Sequence, residues 1–270
     1  MLKSIRRIFE RAERAEHPSL PAVPAGQRVY AVGDIHGRLD LFEALIAAIE
    51  EDDASASPAE TTVILLGDLV DRGPDSAGVV ARAREWQHRR KVRILAGNHE
   101  EMFLKSFEKI EMLRHFLRFG GRETVLSYGI DRATYQGASV EEVQAMMERA
   151  VPAEDRRFIE GFEDMIAIGD YLFVHAGIAP DVPIEEQRRQ DLRWIREPFL
   201  SHEGRFGAIV VHGHTICDDP EDCGNRIGVD TGAYISGRLT ALVLEGTQRR
   251  YLEAVDADGA ITAAARQLAA

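Results

Sequence analysis

Three apolar runs near the start of the chain each end in a glycine followed by a residue able to hold a metal. Val29-Tyr30-Ala31-Val32 leads into Gly33-Asp34-Ile35-His36-Gly37, and Thr62-Val63-Ile64-Leu65-Leu66 into Gly67-Asp68-Leu69-Val70-Asp71-Arg72-Gly73. Val92-Arg93-Ile94-Leu95-Ala96 leads into Gly97-Asn98-His99-Glu100. Short runs rich in β-branched residues read as buried strands. Between them, Leu39 to Glu51 and Ser76 to Arg90 carry apolar residues at helical spacing. A β-α-β-α-β order calls for parallel strands joined by crossovers. In such sheets ligands bind beyond the carboxyl ends of the strands, where all three polar endings fall.

The rest of the chain divides around this unit. Residues 2–15 hold Leu2, Ile5, Ile8, Phe9 and Ala12 at helical spacing among arginines and a lysine, which reads as a basic amphipathic helix. Packing on its own domain is the first expectation for it, and contact with an acidic membrane surface the alternative. His17 to Gly26 reads as a proline-containing linker and Asp52 to Glu60 as a loop. From Glu101 to Asp164 the pattern is helical and broken by Gly120-Gly121, as expected of an inserted cap. Strands return in a hairpin, Met165 to Ile168 and Tyr171 to Val174, and again at Ala208 to Val211. Asn225 to Asp230, Leu239 to Leu244 and Arg250 to Ala254 read as further short strands. The Ala-rich tail after Asp258 reads as a terminal helix. The expected division is 1–27 helix and linker, 28–258 one α/β domain with a cap at about 101–165, and 259–270 tail.

Composition excludes several classes. No apolar run is long enough to span a membrane, and the basic start is not followed by a secretory apolar core. Two cysteines, Cys217 and Cys223, make no disulfide framework, so a reducing cytoplasm is expected. A net charge of -12 argues against wrapping a nucleic-acid duplex. Phosphorylated substrates stay open, because bound cations reverse the local field.

His175 and His214 follow later apolar runs and join the set Asp34, His36, Asp68 and Asn98. Carboxylate, imidazole and amide oxygens suit manganese, iron, zinc or magnesium rather than soft thiolate chemistry. These groups are too many for one tetrahedral site and right for two divalent metals sharing a carboxylate. Asp68, on the middle strand, is the natural bridge.

The three motifs, with His175-Ala176-Gly177 and Gly213-His214-Thr215, resemble the phosphoprotein phosphatase family of the calcineurin-like metallophosphoesterases, bacterial branch. The resemblance runs from about Tyr30 to Tyr234. It implies a β-sandwich of two mixed sheets flanked by helices. It also implies roles. Asp34 and His36 would bind the first metal, Asp68 would bridge, and Asn98, His175 and His214 would bind the second. Manganese is the first expectation for both. His99 would protonate the leaving oxygen with Asp71 holding its ring, and Arg72, Arg196 and Asn98 would hold phosphate oxygens. Many wider relatives carry another histidine where this chain has Ile216, which points to the phosphoprotein phosphatase branch. The implied activity is hydrolysis of phosphate monoesters, with a phosphorylated protein as first substrate and small phosphoesters beside it. The alternative is symmetrical hydrolysis of diadenosine tetraphosphate. A binding protein on a decayed enzyme scaffold is disfavoured, since every implied ligand and His99 are present.

Other residues carry plainer readings. His212 reads as a core histidine or one supporting a ligand rather than a ligand itself, and Asp230 either orients a ligand or closes a turn. Asp218 to Asp222 is a solvated loop. Cys217 and Cys223 read as two free thiols. Arg114, Arg118 and Arg122 would share one helical stripe at a spacing of four. Phe103, Phe107, Phe116, Phe119, Tyr128 and Tyr135 read mostly as cap core.

Overall fold

The computed structural model describes residues 20–266. The N-terminal helix falls outside them, as does the start of the linker. The remainder of the linker is fastened down. Val23 is buried and its amide donates to the Gly246 carbonyl, while Asp170 and Ala22 exchange backbone and side-chain bonds.

Two mixed sheets form a sandwich. In the first, β1 (Gln27–Val32), β2 (Glu60–Leu65) and β3 (Val92–Ile94) run parallel, and β9 (Arg238–Glu245), β10 (Gln248–Ala257) and β11 (Ala260–Arg266) continue antiparallel from β1. In the second, β5 (Tyr171–Val174), β6 (Ile209–His212) and β8 (Arg226–Gly228) are parallel. There β4 (Met165–Ile168) and the two-residue β7 (Glu221–Asp222) form the antiparallel edges. Strand periodicity decides which side each residue serves. Val29, Ala31, Leu242 and Leu244 meet Phe173, Val211 and Ile227 between the sheets. Their neighbours Tyr30, Val32, Ala241 and Val243 face the helices α1 (Leu39–Ser55) and α2 (Ser76–Arg89).

The cap is helical throughout: α3 (Asn98–Ser106), α4 (Ile110–Phe116), a π-helical turn (Leu117–Gly121), α5 (Arg122–Ser127), α6 (Arg132–Gly137), α7 (Val140–Ala150) and α8 (Ala153–Glu160). It shares one apolar cluster with Val70 and Val80, which follow β2 and lie on α2. After the hairpin, α9 (Arg189–Trp194) covers the second sheet, and α10 (Ala233–Ser236) precedes β9.

Two expectations are corrected. The tail is a strand, not a helix. Asp258 and Gly259 both take positive φ, at 53° and 87°, forming a tight hairpin turn, and Ala260–Arg266 pair along β10. Alanine's helix preference loses to this ladder, and the sheet extends the domain to Arg266. The arginine stripe is also broken. Phe119 and Gly120 leave helical geometry, with φ of -97° and 109°, so Arg122 no longer stands above Arg114 and Arg118. The acidic segment is exposed as expected, but not unpaired: Asp219 meets Arg238 and Arg266, and Asp222 meets Arg249.

Candidate metal centre

The carboxyl ends of five strands from both sheets converge. Asp34 follows β1, Asp68 follows β2, Asn98 and His99 open α3 after β3, His175 follows β5, and His214 follows β6. The backbone there is strained. His36, Asp68, Asp71, Arg72 and His214 have φ of 46°, 49°, 76°, 70° and 64°. Such non-glycine outliers cost of order 1–3 kcal/mol each and persist where surrounding structure holds them. Glycine is required where chains touch. A Cβ on Gly97 would lie 2.1 Å from Asp68 Oδ1, and one on Gly213 would lie 2.1 Å from Asp34 Oδ1.

Asp68 stands at the centre. Its Oδ2 is 3.6 Å from His36 Nε2, 3.9 Å from His99 Nε2 and 3.4 Å from His175 Nε2. Ligand atoms of His36, Asp68 and His99 form one close trio, and those of Asp68, His175 and His214 a second, with Asp68 common to both. Asn98 Oδ1 completes the second, 3.0 Å from His175 Nε2 and 2.9 Å from His214 Nδ1. Asp34 is buried beside them but belongs to neither trio. It accepts the His214 amide at 3.0 Å and shares a hydrogen bond with Asp230.

The rings are oriented from behind. His36 Nδ1 is 2.8 Å from the Val70 carbonyl and His175 Nδ1 is 2.8 Å from the Leu66 carbonyl. A carbonyl accepts only from N–H, so each ring presents the Nε2 lone pair inward, as a metal ligand must. Among the described residues, buried His214 Nε2 has no hydrogen-bond partner. Burial pushes His36 and His175 down, and burial with the neighbouring His175 takes His214 to about 3. The carboxylates move the other way. Burial, then the charges of Asp230 and Asp68, hold Asp34 well above the usual range. Burial takes Asp230 to about 6. Asp68 is the exception: burial opposes its ionisation, but the surrounding histidines prevail and lower it. Neutral imidazoles, crowded carboxylates and an orphaned buried nitrogen fit a pair of divalent cations.

Beside the trios sits a hydrogen-bonded imidazole–carboxylate pair. His99 Nδ1 is 2.6 Å from Asp71 Oδ2, and burial's downward push on His99 is outweighed by Asp68 and Asp71, so its affinity for a proton is raised. Arg72 places its two terminal nitrogens 2.9 Å from His36 Nε2 and from His99 Nε2. Its guanidinium lies over the Tyr234 ring, 4.7 Å from the centroid. Arg196 is exposed and does not touch this set; its charge still reaches His214 and helps lower it. Burial pushes the Cys217 thiol up to about 12, and Cys223 is an exposed free cysteine. His212 is buried in the core, as read.

Two contributors escaped the sequence reading. The Glu100 carboxylate accepts the amides of Asp68, Leu69, Val70 and Gly97 at 2.9, 2.8, 3.3 and 2.9 Å, clamping the central turn. A glutamate three residues past a helix cap is a recognisable signal for such back-bonding. Thr124 reaches down from the cap and donates to Asp71 Oδ1 at 2.6 Å. No motif announces it, because its partner is brought near only by the fold.

Comparison with known proteins adds four findings. The sequence profile of the calcineurin-like phosphoesterase family matches residues 27–237. A bis(5'-nucleosyl)-tetraphosphatase PrpE, named as asymmetrical, from Anoxybacillus flavithermus is 26% identical over 234 residues, covering 78% of this chain and 88% of its own. Serine/threonine-protein phosphatase 1 of Salmonella typhimurium is 28% identical over 220 residues, covering 79% and 90%. The structure of a cold-active protein-tyrosine phosphatase from a psychrophilic Shewanella superposes with a TM-score of 0.57 at 20% identity, covering 94% of this chain and 89% of that one, a likeness of fold.

Proposed function

The chain belongs to the calcineurin-like phosphoesterase family, whose members depend on two metals, and on that premise we propose that it hydrolyses phosphate monoesters borne by proteins. That it is a phosphatase follows from the family and its relatives; the substrate is the proposal. The observation that carries the reading is Arg72, a phosphate-shaped fork held between His36 of one trio and the His99–Asp71 pair.

In this reading His36, Asp68, Asn98, His175 and His214 would hold the cations, and Asp34 would join them at the first site. The chemistry supplied by two such ions, manganese by preference, is polarisation of phosphoryl oxygens and activation of water at neutral pH. Arg72, Asn98 and Arg196 orient the phosphate. His99, whose proton affinity Asp68 and Asp71 raise, would give a proton to the departing oxygen once the phosphate draws Arg72 from its Nε2. Asp71 holds the imidazole in the donating orientation, and Thr124 holds Asp71. Glu100 fixes the amides around Asp68 so that the bridge does not shift.

The protein substrate is supported by the Salmonella relative and by the cap, where Phe103 and Phe116 are fully buried and unavailable to a nucleobase. The PrpE relative and one exposed aromatic, Phe119, support a second reading, hydrolysis of bis-nucleoside polyphosphates. That relative is named for asymmetrical cleavage, so the register of cleavage in this reading is wider than the symmetrical one expected from the motifs. The deciding experiment measures kcat/KM for a phosphoserine peptide and for diadenosine tetraphosphate with the same metal and pH. The peptide is expected to be the better substrate; a strong preference for the dinucleotide replaces the first reading with the second. In the same assay His99→Asn should lower turnover by about 10²–10⁴-fold while retaining metal. The loss should be smaller on 4-nitrophenyl phosphate, whose leaving group needs no proton.

A further inference from the structure

Phe103 and Phe116 fill the cap core, and Phe107, Tyr128 and Tyr135 are packed against it. Phe119 is 45% exposed. A single exposed apolar side chain needs no explanation on its own, but three observations set this one apart. The first is how it came to be exposed. Residues three apart share a helical face, so an unbroken helix would bury Phe119 alongside Phe116. The π-helical turn at Leu117–Gly121 rotates it out instead, and such turns recur at functional sites.

The second is where the turn is anchored. The Gly120 carbonyl accepts the Arg72 amide at 3.1 Å. Gly120 also lies so close to Arg72 that a Cβ there would meet Arg72 Cγ at 2.7 Å. Phe119 is therefore one residue from a direct bond to the backbone of the phosphate-gripping arginine, on the cap side, where His99 also begins its helix. The third is its surroundings. His115, on α4, lies against the Phe119 ring at 4.4 Å between centroids. Arg118 beside them is exposed and makes no hydrogen bond or ion pair among the described residues. An aromatic ring backed by an imidazole, next to an exposed cation and a phosphate grip, has the chemistry of a stacking platform.

We propose that Phe119, supported by His115, is a specificity-determining residue on which a planar aromatic ring of the leaving group stacks. The inference rests on the reading of the metal face as a phosphoesterase site. The ring could be the aryl group of a phenolic ester or the base of a nucleotide, and the test separates them.

Metal-loaded wild-type enzyme and the variants Phe119→Ala, Phe119→Leu and Phe119→Trp are assayed on three substrates. Phenyl phosphate carries its ring on the leaving oxygen, diadenosine tetraphosphate carries one beyond further phosphates, and glycerol 2-phosphate has none. Phe119→Ala should reduce kcat/KM on a ring-bearing substrate more than on glycerol 2-phosphate, by a factor of about 5 to 150, the range of one stacked base. Phe119→Trp should restore the preference, and Phe119→Leu, apolar but without a π face, should not. A loss confined to phenyl phosphate assigns the platform to aryl esters, and one confined to the dinucleotide assigns it to bases. Parallel losses on all three, or none, overturn the proposal. Wild-type enzyme inactive on every substrate refutes the phosphoesterase reading itself and the platform with it, a result seen before any variant is compared.

Discussion

Arg28 and Asp68 are both almost sealed from water, at 1% exposure each, yet their neighbourhoods obey different rules. Around Arg28 carboxylates face the charge and each guanidinium nitrogen donates. Its Nε and Nη2 donate to Glu245, Nη1 to Asp53, and Nη2 also to the Ser57 carbonyl. Arg90 and Arg250 bond in turn to Asp53 and Asp52, and Tyr30 donates to Asp52. Around Asp68 charge is not matched. Asp34, Asp71, Glu100 and Asp230 are buried with it, and among the described residues Arg72 is the guanidinium seated with them. The backbone differs as well. The metal face bends through His36, Asp68, Asp71, Arg72 and His214 at positive φ, whereas the β10–β11 hairpin turns through one such residue, Asp258, followed by Gly259. One cluster is complete as folded; the other is complete only with cations. Burial of polar groups thus says little until their charges are summed.

The largest effect should come from breaking the surplus at its centre. Asp68→Asn removes the carboxylate common to both trios. It should empty both metal positions in elemental analysis and lower activity by at least about 10²–10³-fold, the scale of losing one preorganised electrostatic group. Normal metal content with normal activity would remove Asp68 as the bridge. Arg28→Ala attacks the matched cluster and should do the reverse. It should cost about 2–4 kcal/mol in denaturant unfolding, moderated because Asp53 and Glu245 keep some contact with water. Per-molecule turnover and metal content should hold. A selective loss of turnover would show that the two regions are coupled.

The surplus has a signature in metal-free protein. Burial lifts Asp230 to about 6, above its ordinary value, so between about pH 4 and 6 the folded chain holds more protons than the unfolded one. Folding stability then falls as pH rises through that window and stays lower above it. Asp230→Asn should flatten this fall and stabilise the metal-free chain at pH 7 by about 1–3 kcal/mol. Thermal unfolding after chelation, across pH, measures it. An unchanged pH profile would mean that Asp230 is not under that strain.

Much of this was legible beforehand because strand endings write themselves locally. Asp34, Asp68, Asn98, His175 and His214 each follow an apolar run, so the convergence of strand ends on one face gathers them without fine detail. What sequence alone missed depends on distance in three dimensions. Thr124 is 53 positions from the Asp71 it supports. The arginine stripe and the exposure of Phe119 both turned on one kink at Gly120, which the Gly-Gly signal located but whose direction it left open. Asp34 was placed among the ligands by resemblance; the fold brings it to the site but turns it toward His214 and Asp230. The terminal strand was misread because alanine content outweighed Asp258-Gly259, a recognised hairpin signal.

That misreading supplies the smallest and most discriminating test of the contrast in backbone. Gly259 has φ of 87° and nothing within 4 Å of where a Cβ would stand. Alanine there meets no clash and bears only the cost of a left-handed conformation, about 1 kcal/mol. In a helix the same change would stabilise by about 1 kcal/mol, since alanine is the better helix former. The sign of the change therefore separates hairpin from helix. At Gly97 the identical substitution puts a methyl group 2.1 Å from Asp68 Oδ1, against a carboxylate held by the His99 amide at 3.0 Å. Gly259→Ala should thus lower the unfolding midpoint slightly and leave metal content and turnover alone, while Gly97→Ala should disturb both. A stabilised Gly259→Ala chain would restore the helix and shorten the first sheet by its outer strand.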